Sequence, residues 1–402
     1  MVEAQKMAKS LGNFIMLNES CAGDRTIVLE VEDTSGKKKK GPPKMIKKTV
    51  HIGWSSDSTR LALADAGDGL DDANFASETA DNAILRLTTE ETFIRDVVEN
   101  SKSGSTYRAG EFNFHDRAFR AKLRRAAALA DEAYAAMRYR DVLKSGFFEL
   151  QGARDVYREA MKKTNNEMHI DLLTMYIETL LVCMSPVCPH FCDYHWRRTL
   201  GREGHVMDAP WPTFAYAGSD SDDMLLREEQ YVSDLATGIR QLMLRGSKKK
   251  KKGGKKKAPE PEPETPKVPK ARVYIGLSYP QWKQKLLTIL GDWFNKDGSI
   301  DQKTAMKRLK ATLAEDDELK KLTKSCMQTA SFVIGESKTM GARAFELSSP
   351  FDQAKLLADN IDFVKASAGV EEVDIVIVDE DIAESNRKAS QAVPGRPSYE
   401  MQ

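Results

Sequence analysis

Cysteine is scarce in this chain: five residues among 402, an odd number. With no signal peptide at the start, that usage excludes a secreted disulfide framework and points to a reducing compartment, so the chain is expected in the cytosol. Long apolar runs are missing as well. The nearest is LLTMYIETLLVCM, which polar residues interrupt and Pro186 ends, so neither a membrane span nor a membrane partner is expected. A surplus of either charge is also absent, since 61 lysines and arginines face 60 acids. The net charge of +1 excludes a uniformly basic or acidic protein, yet leaves room for basic surfaces balanced by acidic segments elsewhere.

What is present is enough apolar material for packed cores, 41% hydrophobic residues with 8% aromatics, and enough length for two or three domains. The first distinctive stretch is KMAKSLGN. Lys6 and Lys9, separated by Met7 and Ala8 and followed by Ser10, Gly12 and Asn13, make a flexible cationic loop suited to a polyphosphate. Taken alone, the same pair of lysines also fits a solvated surface loop. Further on, DTSGKKKKGPPKMIKK is a lysine cluster broken by Gly36, Gly41, Pro42 and Pro43. It cannot propagate a helix and is expected as a solvated loop. STRLALADAGDGLDDANF then reads as a short helical turn ending at Gly67 and Gly69. Asp71 and Asp72 stand where the next helix starts, and that helix runs through ASETADNAILRLTTEETFIRDVVEN.

Between Asn113 and about Arg245 the periodicity is helical. Phe119, Leu123, Ala126, Ala127, Ala130 and Tyr134 fall on one stripe, and Leu172, Leu173, Tyr176, Leu180 and Met184 repeat the spacing. Gly146 and Gly152 weaken the second helix but permit close approach to a neighbour. Eight lysines in GSKKKKKGGKKK, followed by alternating proline and glutamate, have no apolar face to bury and read as a linker. After it RVYIGLSY, ARAFELSS and EVDIVIVD read as strands, with PQWKQKLLTILGDWF and KTAMKRLKATLAED as helices. The expected fold class is therefore mostly α: an antiparallel helical bundle followed by a tethered small α+β domain.

Cys183, Cys188 and Cys192 with His190 and His195 form the one segment with a zinc-like composition. Helical phase argues against it: Cys188 and Cys192 can share a face, whereas Cys183 lies before Pro186 and His190 turns away. Small core cysteines and no protein-bound metal are expected, with Trp196 and Trp211 as packing residues. Arg117, Arg120, Lys122, Arg124 and Arg125, flanked by Phe112, Phe114 and Phe119, make a basic helix face. Arginine forks suit phosphates, and a folded helix fixes their register, so this face is a candidate for RNA phosphates. The lysine-rich linker could add salt-dependent RNA affinity or serve only as a solvated tether.

KMAKSLGNF resembles the KMSKS signature loop of class I aminoacyl-tRNA synthetases, with Ala8 where the family has serine. The likeness extends along the chain to the eukaryotic cytosolic leucyl-tRNA synthetases, through STRLALADAGDGLDDANF, YRDVLKSGFFELQGARDVYRE, MSPVCPHFCDYHW and the terminal PGRPSYEMQ, in that order. The resemblance implies an ATP-dependent ligase that joins leucine to its tRNA, with ATP and Mg in the parent enzyme, tRNA(Leu) as partner, and other synthetases or assembly scaffold proteins as further partners. By resemblance Lys6 and Lys9 are catalytic, and Lys6, Met7, Ala8, Lys9 and Ser10 bind ATP, the lysines neutralising charge that develops on the phosphates. Ala8 removes one hydroxyl, worth roughly 1 kcal/mol if it bonded phosphate or loop backbone. In the tethered part, Lys270, Arg272, Arg387, Lys388 and Arg396 join the helix arginines as candidate tRNA contacts, and the acidic stretch from Glu371 to Glu384 is expected to face away from RNA.

The implied organisation is 1–20, KMSKS-like loop; 21–58, insertion; 59–110, stem-contact-like helical connector; 111–245, tRNA-binding bundle; 246–269, linker; and 270–402, α+β tRNA-binding domain. The likeness covers the family's carboxy-terminal part. Its HIGH signature, leucine pocket and editing insertion lie before the lysine loop, so the isolated stretch is expected to be inactive; HIGW at His51–Trp54 follows the loop and is assigned no catalytic role. The insertion fits a surface loop or translated intervening sequence. A stand-alone tRNA-binding module or scaffold without catalysis is the alternative, and a remnant with its early apolar surface left open is a third reading.

Overall fold

The computed structural model describes residues 1–32, 45–69, 73–104, 106–212, 220–252 and 269–402. The centre of the lysine cluster, Asp71 and Asp72, and most of the linker lie outside them. The chain divides into two compact units, Met1–Leu226 and Arg227–Gln402.

The first unit begins with α1 (Leu17–Ala22), β1 (Arg25–Glu32), β2 (Met45–Ile52), α2 (Ser56–Asp65) and α3 (Ser77–Ser103). β1 and β2 pair antiparallel, with Ile27 opposite Val50. The arms of the expected loop are therefore a hairpin, and Met45–Lys48, read as loop, is strand. Glycine and proline outweighed a two-residue period that both arms carry: Ile27, Leu29, Val50 and Ile52 point inward and are buried, while Val28 points out and is 61% exposed. That inner face meets Val2, Trp54, Phe75 and Ala80 in a small core of its own. Apolar side chains of this early part remain exposed as well, Leu17 at 72% and Leu85 at 65%.

The helical bundle follows: α4 (Phe114–Ala135), α5 (Tyr139–Leu143), a π-type turn at Lys144–Glu149, α6 (Leu150–Lys163), α7 (Ile170–Met184), α8 (Pro189–Tyr194) and a second π-type turn at His195–Thr199. Asn113 and Asp116 begin α4 with a reciprocal capping box, each side chain accepting the other's backbone N–H. The helix ends at Ala135, and Met137, with a φ of 54°, turns the chain just after it. Phe119, Leu123, Ala126, Ala127 and Ala130 are buried as the stripe requires, and so are Leu172, Leu173, Tyr176, Leu180 and Met184. Gly146 is a true close approach, because a Cβ there would stand 3.3 Å from the Cβ atoms of Ala130 and Cys183. Gly152 has open space instead. Leu→Ala at the fully buried Leu123 or Leu173 costs about 2–5 kcal/mol by transfer and cavity terms.

α9 (Asp220–Lys252) contains the boundary between the units. The second continues with β3 (Lys270–Gly276), α10 (Gln281–Asp297), α11 (Gln302–Glu315), α12 (Asp317–Lys321), α13 (Thr323–Met340), α14 (Gln353–Asp359), α15 (Ile361–Ala368), β4 (Glu372–Val378), α16 (Glu380–Ser385) and β5 (Ser398–Met401). The sheet order is β4-β3-β5, with β3 parallel to β4 and antiparallel to β5. Leu286, Leu290, Leu309, Leu313, Ala330 and Ile334 form a helical core beside it. ARAFELSS, expected as a strand, is a 3-10 turn at Gly341–Phe345. Gly341, at φ 61°, ends α13, and Phe345 closes the helical core with its ring centroid 5.4 Å from that of Phe294. One buried aromatic decides that segment, not an alternating face.

Candidate phosphate loop and basic surfaces

The lysine loop is built from its backbone outward. Glu3 and Ala4 take positive φ angles and close a turn in which Val2 and Gln5 exchange backbone hydrogen bonds. The Glu3 carboxylate accepts from the Ser77 N–H and hydroxyl at the start of α3, and pairs with Lys48 of β2 at 2.7 Å. Burial alone would raise the Glu3 pKa; the Lys48 and Ser77 bonds hold it below the usual value. Residue 3 is thereby anchored to a helix start 74 positions away, where an acid is favoured by the exposed N–H groups.

Beyond that anchor, Asn13 is 2% exposed and fastens both sides of the loop: its Oδ1 accepts from the Ala8 N–H at 2.9 Å, and its Nδ2 donates to the Lys6 carbonyl at 3.0 Å. Gly12, at φ 68°, ends a single 3-10 turn over Lys9–Leu11 by donating its N–H to the Lys9 carbonyl. Lys6, Met7, Lys9 and Ser10 are exposed, and neither lysine has an ion-pair partner among the described residues. Two free ammonium groups on a fastened backbone can meet a polyphosphate without first leaving a carboxylate. The sequence marked Asn13 only as a loop residue. Its clamping role needed the fold, because the signal is a side chain reaching back five and seven positions.

The cysteine and histidine segment is structural. Cys183, Cys188 and Cys192 are fully buried, and burial pushes all three thiols up. His190 Nδ1 lies 3.1 Å from Asp57, whose second oxygen accepts the Phe191 N–H at the start of α8. His195 is buried against Thr199, and burial lowers its pKa to about 4. Trp211 donates to the Ala127 carbonyl and stands edge-on to Tyr134.

The candidate RNA contacts divide by what already holds them. Arg117 and Arg125 are exposed and free of ion pairs among the described residues. Arg120 lies over the Phe112 ring, 5.1 Å from its centroid, and Arg124 pairs with Asp222 at 3.2 Å. In the second unit, Lys270 pairs with Glu372, Arg272 with Asp374 at 2.8 Å, and Arg396 with Glu336. The parallel register sets Glu372 and Asp374 beside Lys270 and Arg272, so part of the acidic stretch lies directly on the basic strand instead of away from it. Arg387 and Lys388 are exposed.

Residues 116–260 match the anticodon-binding domain of tRNA ligases. Over 382 residues the chain is 34% identical to a cytoplasmic leucine–tRNA ligase of Arabidopsis thaliana, covering 93% of this chain and 31% of that protein. The cytoplasmic enzyme of Pongo abelii is 30% identical over 99% of this chain and 30% of its own length. The chain belongs to the leucine–tRNA ligase family. It spans about a third of the length of the curated relatives it matches. The match takes in all but the first two residues of α4, with Arg117 and Arg125, and the whole of α9. A leucine–tRNA ligase relative from Aeropyrum pernix is similar over 53% of this chain, at 28% identity.

Proposed function

We propose that this chain is the tRNA-binding portion of a cytoplasmic leucine–tRNA ligase, which attaches leucine to tRNA(Leu) with ATP and Mg, and that its lysine loop grips the ATP phosphates. The observation that carries the reading is the fastened loop: Asn13 fixes the backbone while Lys6 and Lys9 stay exposed, with no ion-pair partner among the described residues. As leucine attacks the α-phosphorus, negative charge grows on the leaving pyrophosphate. Lys6 and Lys9 then stabilise the transition state more than the ground state, which is what acceleration demands. Met7 and Ser10 complete the contact through backbone N–H and hydroxyl groups, with Ala8, whose own N–H is held by Asn13, lining the loop between them. ATP is expected to bring its Mg with it.

The helical unit serves the tRNA. Arg117 and Arg125 on α4, with Arg120 held beside them by Phe112, offer guanidinium groups to the phosphate backbone, and other synthetases or assembly scaffolds are further partners of the parent enzyme. The test is a pair of assays on the 402-residue polypeptide. Leucine tRNA binds with an affinity that falls steeply with salt, and leucine-dependent pyrophosphate exchange is absent until the remainder of a family catalytic domain is joined to it. Equal affinity for unrelated RNA in dilute buffer would overturn the reading.

A further inference from the structure

In the second unit, Tyr279, Lys283, Gln328, Thr329, Phe332 and Arg396 face a cavity of about 260 Å³. Its walls are two cation–aromatic pairs. The Lys283 ammonium lies 4.6 Å from the Tyr279 ring centroid, and the Arg396 guanidinium lies 4.9 Å from that of Phe332. Glu336, one turn after Phe332 on α13, pairs with Arg396 and holds its plane over the ring. Lys283 has no carboxylate partner among the described residues, and burial together with the nearby Arg396 pushes its pKa down. Two cations therefore share one carboxylate, and a positive charge is left uncompensated inside a concavity. Phe332 is 54% exposed although its neighbours Val333 and Ile334 fill the core, so its ring serves the surface and not the packing.

A ligand that suits this wall joins an anion to a flat π face. Bare phosphate leaves the rings unused, and a neutral aromatic leaves Lys283 without its counter-ion. The space is too small for a duplex but fits a single unit of a strand, and unpaired bases are characteristically read by stacking on aromatic rings and guanidinium planes. We propose that this cavity holds one unstacked nucleotide of the bound RNA, its base against Tyr279 and the Phe332–Arg396 pair and its phosphate on Lys283; this rests on the tRNA-binding reading above. Gln328 and Thr329 supply hydrogen-bonding groups for the base edge.

The experiment measures anisotropy of a labelled leucine tRNA transcript with the full chain across a salt series. Phe332→Leu is expected to weaken binding roughly tenfold with the salt slope unchanged, because stacking carries no charge, and Phe332→Tyr to restore it. Lys283→Gln is expected to weaken binding and lower the salt slope by about one. AMP should compete at concentrations where inorganic phosphate does not. If tRNA binds and the Phe332 and Lys283 variants match the parent chain, this inference fails while the tRNA reading stands. If no tRNA binds at all, both fail. Phosphate competing as well as AMP marks a simple anion site, and a glutamate-rich peptide displacing RNA better than AMP marks a protein site; either result overturns the proposal.

Discussion

Arg154 on α6 donates to Glu90 on α3 at 2.6 Å, 64 positions apart in sequence, with the carboxylate wholly buried. Gln151 and the Tyr176 hydroxyl donate to the same carboxylate, and the Arg154 guanidinium lies 4.5 Å from the Phe93 ring centroid. Both carboxylate oxygens have a donor, Oε1 from Tyr176 and Oε2 from Arg154 and Gln151. The pair ties α3 to α6 and α7 of the first unit and thereby links the segment carrying the lysine loop anchor to the bundle.

Removing one partner leaves the other charged and buried. Arg154→Met is expected to destabilise the first unit by about 3–5 kcal/mol, measured by urea denaturation, and Glu90→Gln by less, since glutamine keeps hydrogen-bonding capacity. A loss under about 1 kcal/mol for Arg154→Met would show the network to be dispensable.

Asn13→Ala unfastens the lysine loop without touching either lysine. Two hydrogen bonds to backbone groups are lost, about 1–3 kcal/mol in total, so amide exchange at Ala8 should accelerate by roughly 5–150-fold. Asn13→Asp should fall between, because it keeps the acceptor for Ala8 and loses the donor to Lys6. Unchanged exchange at Ala8 in Asn13→Ala would remove the clamp from the account.

Two buried histidines set the pH response. Burial lowers the pKa of His115, and likewise that of His195, to about 4, below the value near 6.5 of an unfolded chain. The folded state then binds fewer protons than the unfolded one between these values. Stability is complete above about pH 6.5 and declines as pH falls toward 4, by about 3 kcal/mol per histidine. His115→Gln or His195→Gln should flatten part of that decline in denaturation midpoints measured from pH 7 to 4.5.

Arginines that look alike in sequence should differ in solution. Arg117→Gln and Arg125→Gln are each expected to lower the salt slope of tRNA binding by about one, since those guanidinium groups are free among the described residues. Arg124→Gln and Arg272→Gln should change it little, because Asp222 and Asp374 already neutralise their charges. Binding isotherms at several salt concentrations separate the two groups.

The stripes from Phe119 to Tyr134 and from Leu172 to Met184 were legible because a helix repeats every 3.6 residues and its apolar face must be covered. Strands β3 and β4 were legible for the same kind of reason, as was the burial of the three cysteines between Cys183 and Cys192. The hairpin was misread because a cluster of lysine, glycine and proline masked the alternation in its two arms. ARAFELSS was misread because alternation without a partner strand is not a sheet, and here Phe345 had a helical core to fill.

The sequence by itself determined the helical periods, the positions of the cations and the order of the family motifs, since those depend on neighbours along the chain. Only the tertiary structure decided which cations are free. Lys6 and Lys9 stay exposed because Asn13 holds the backbone, with no ion-pair partner among the described residues, whereas Lys270 and Arg272 are matched by a parallel strand about a hundred residues away. Ion pairing falls off steeply with separation, and separation in space is not written in linear order.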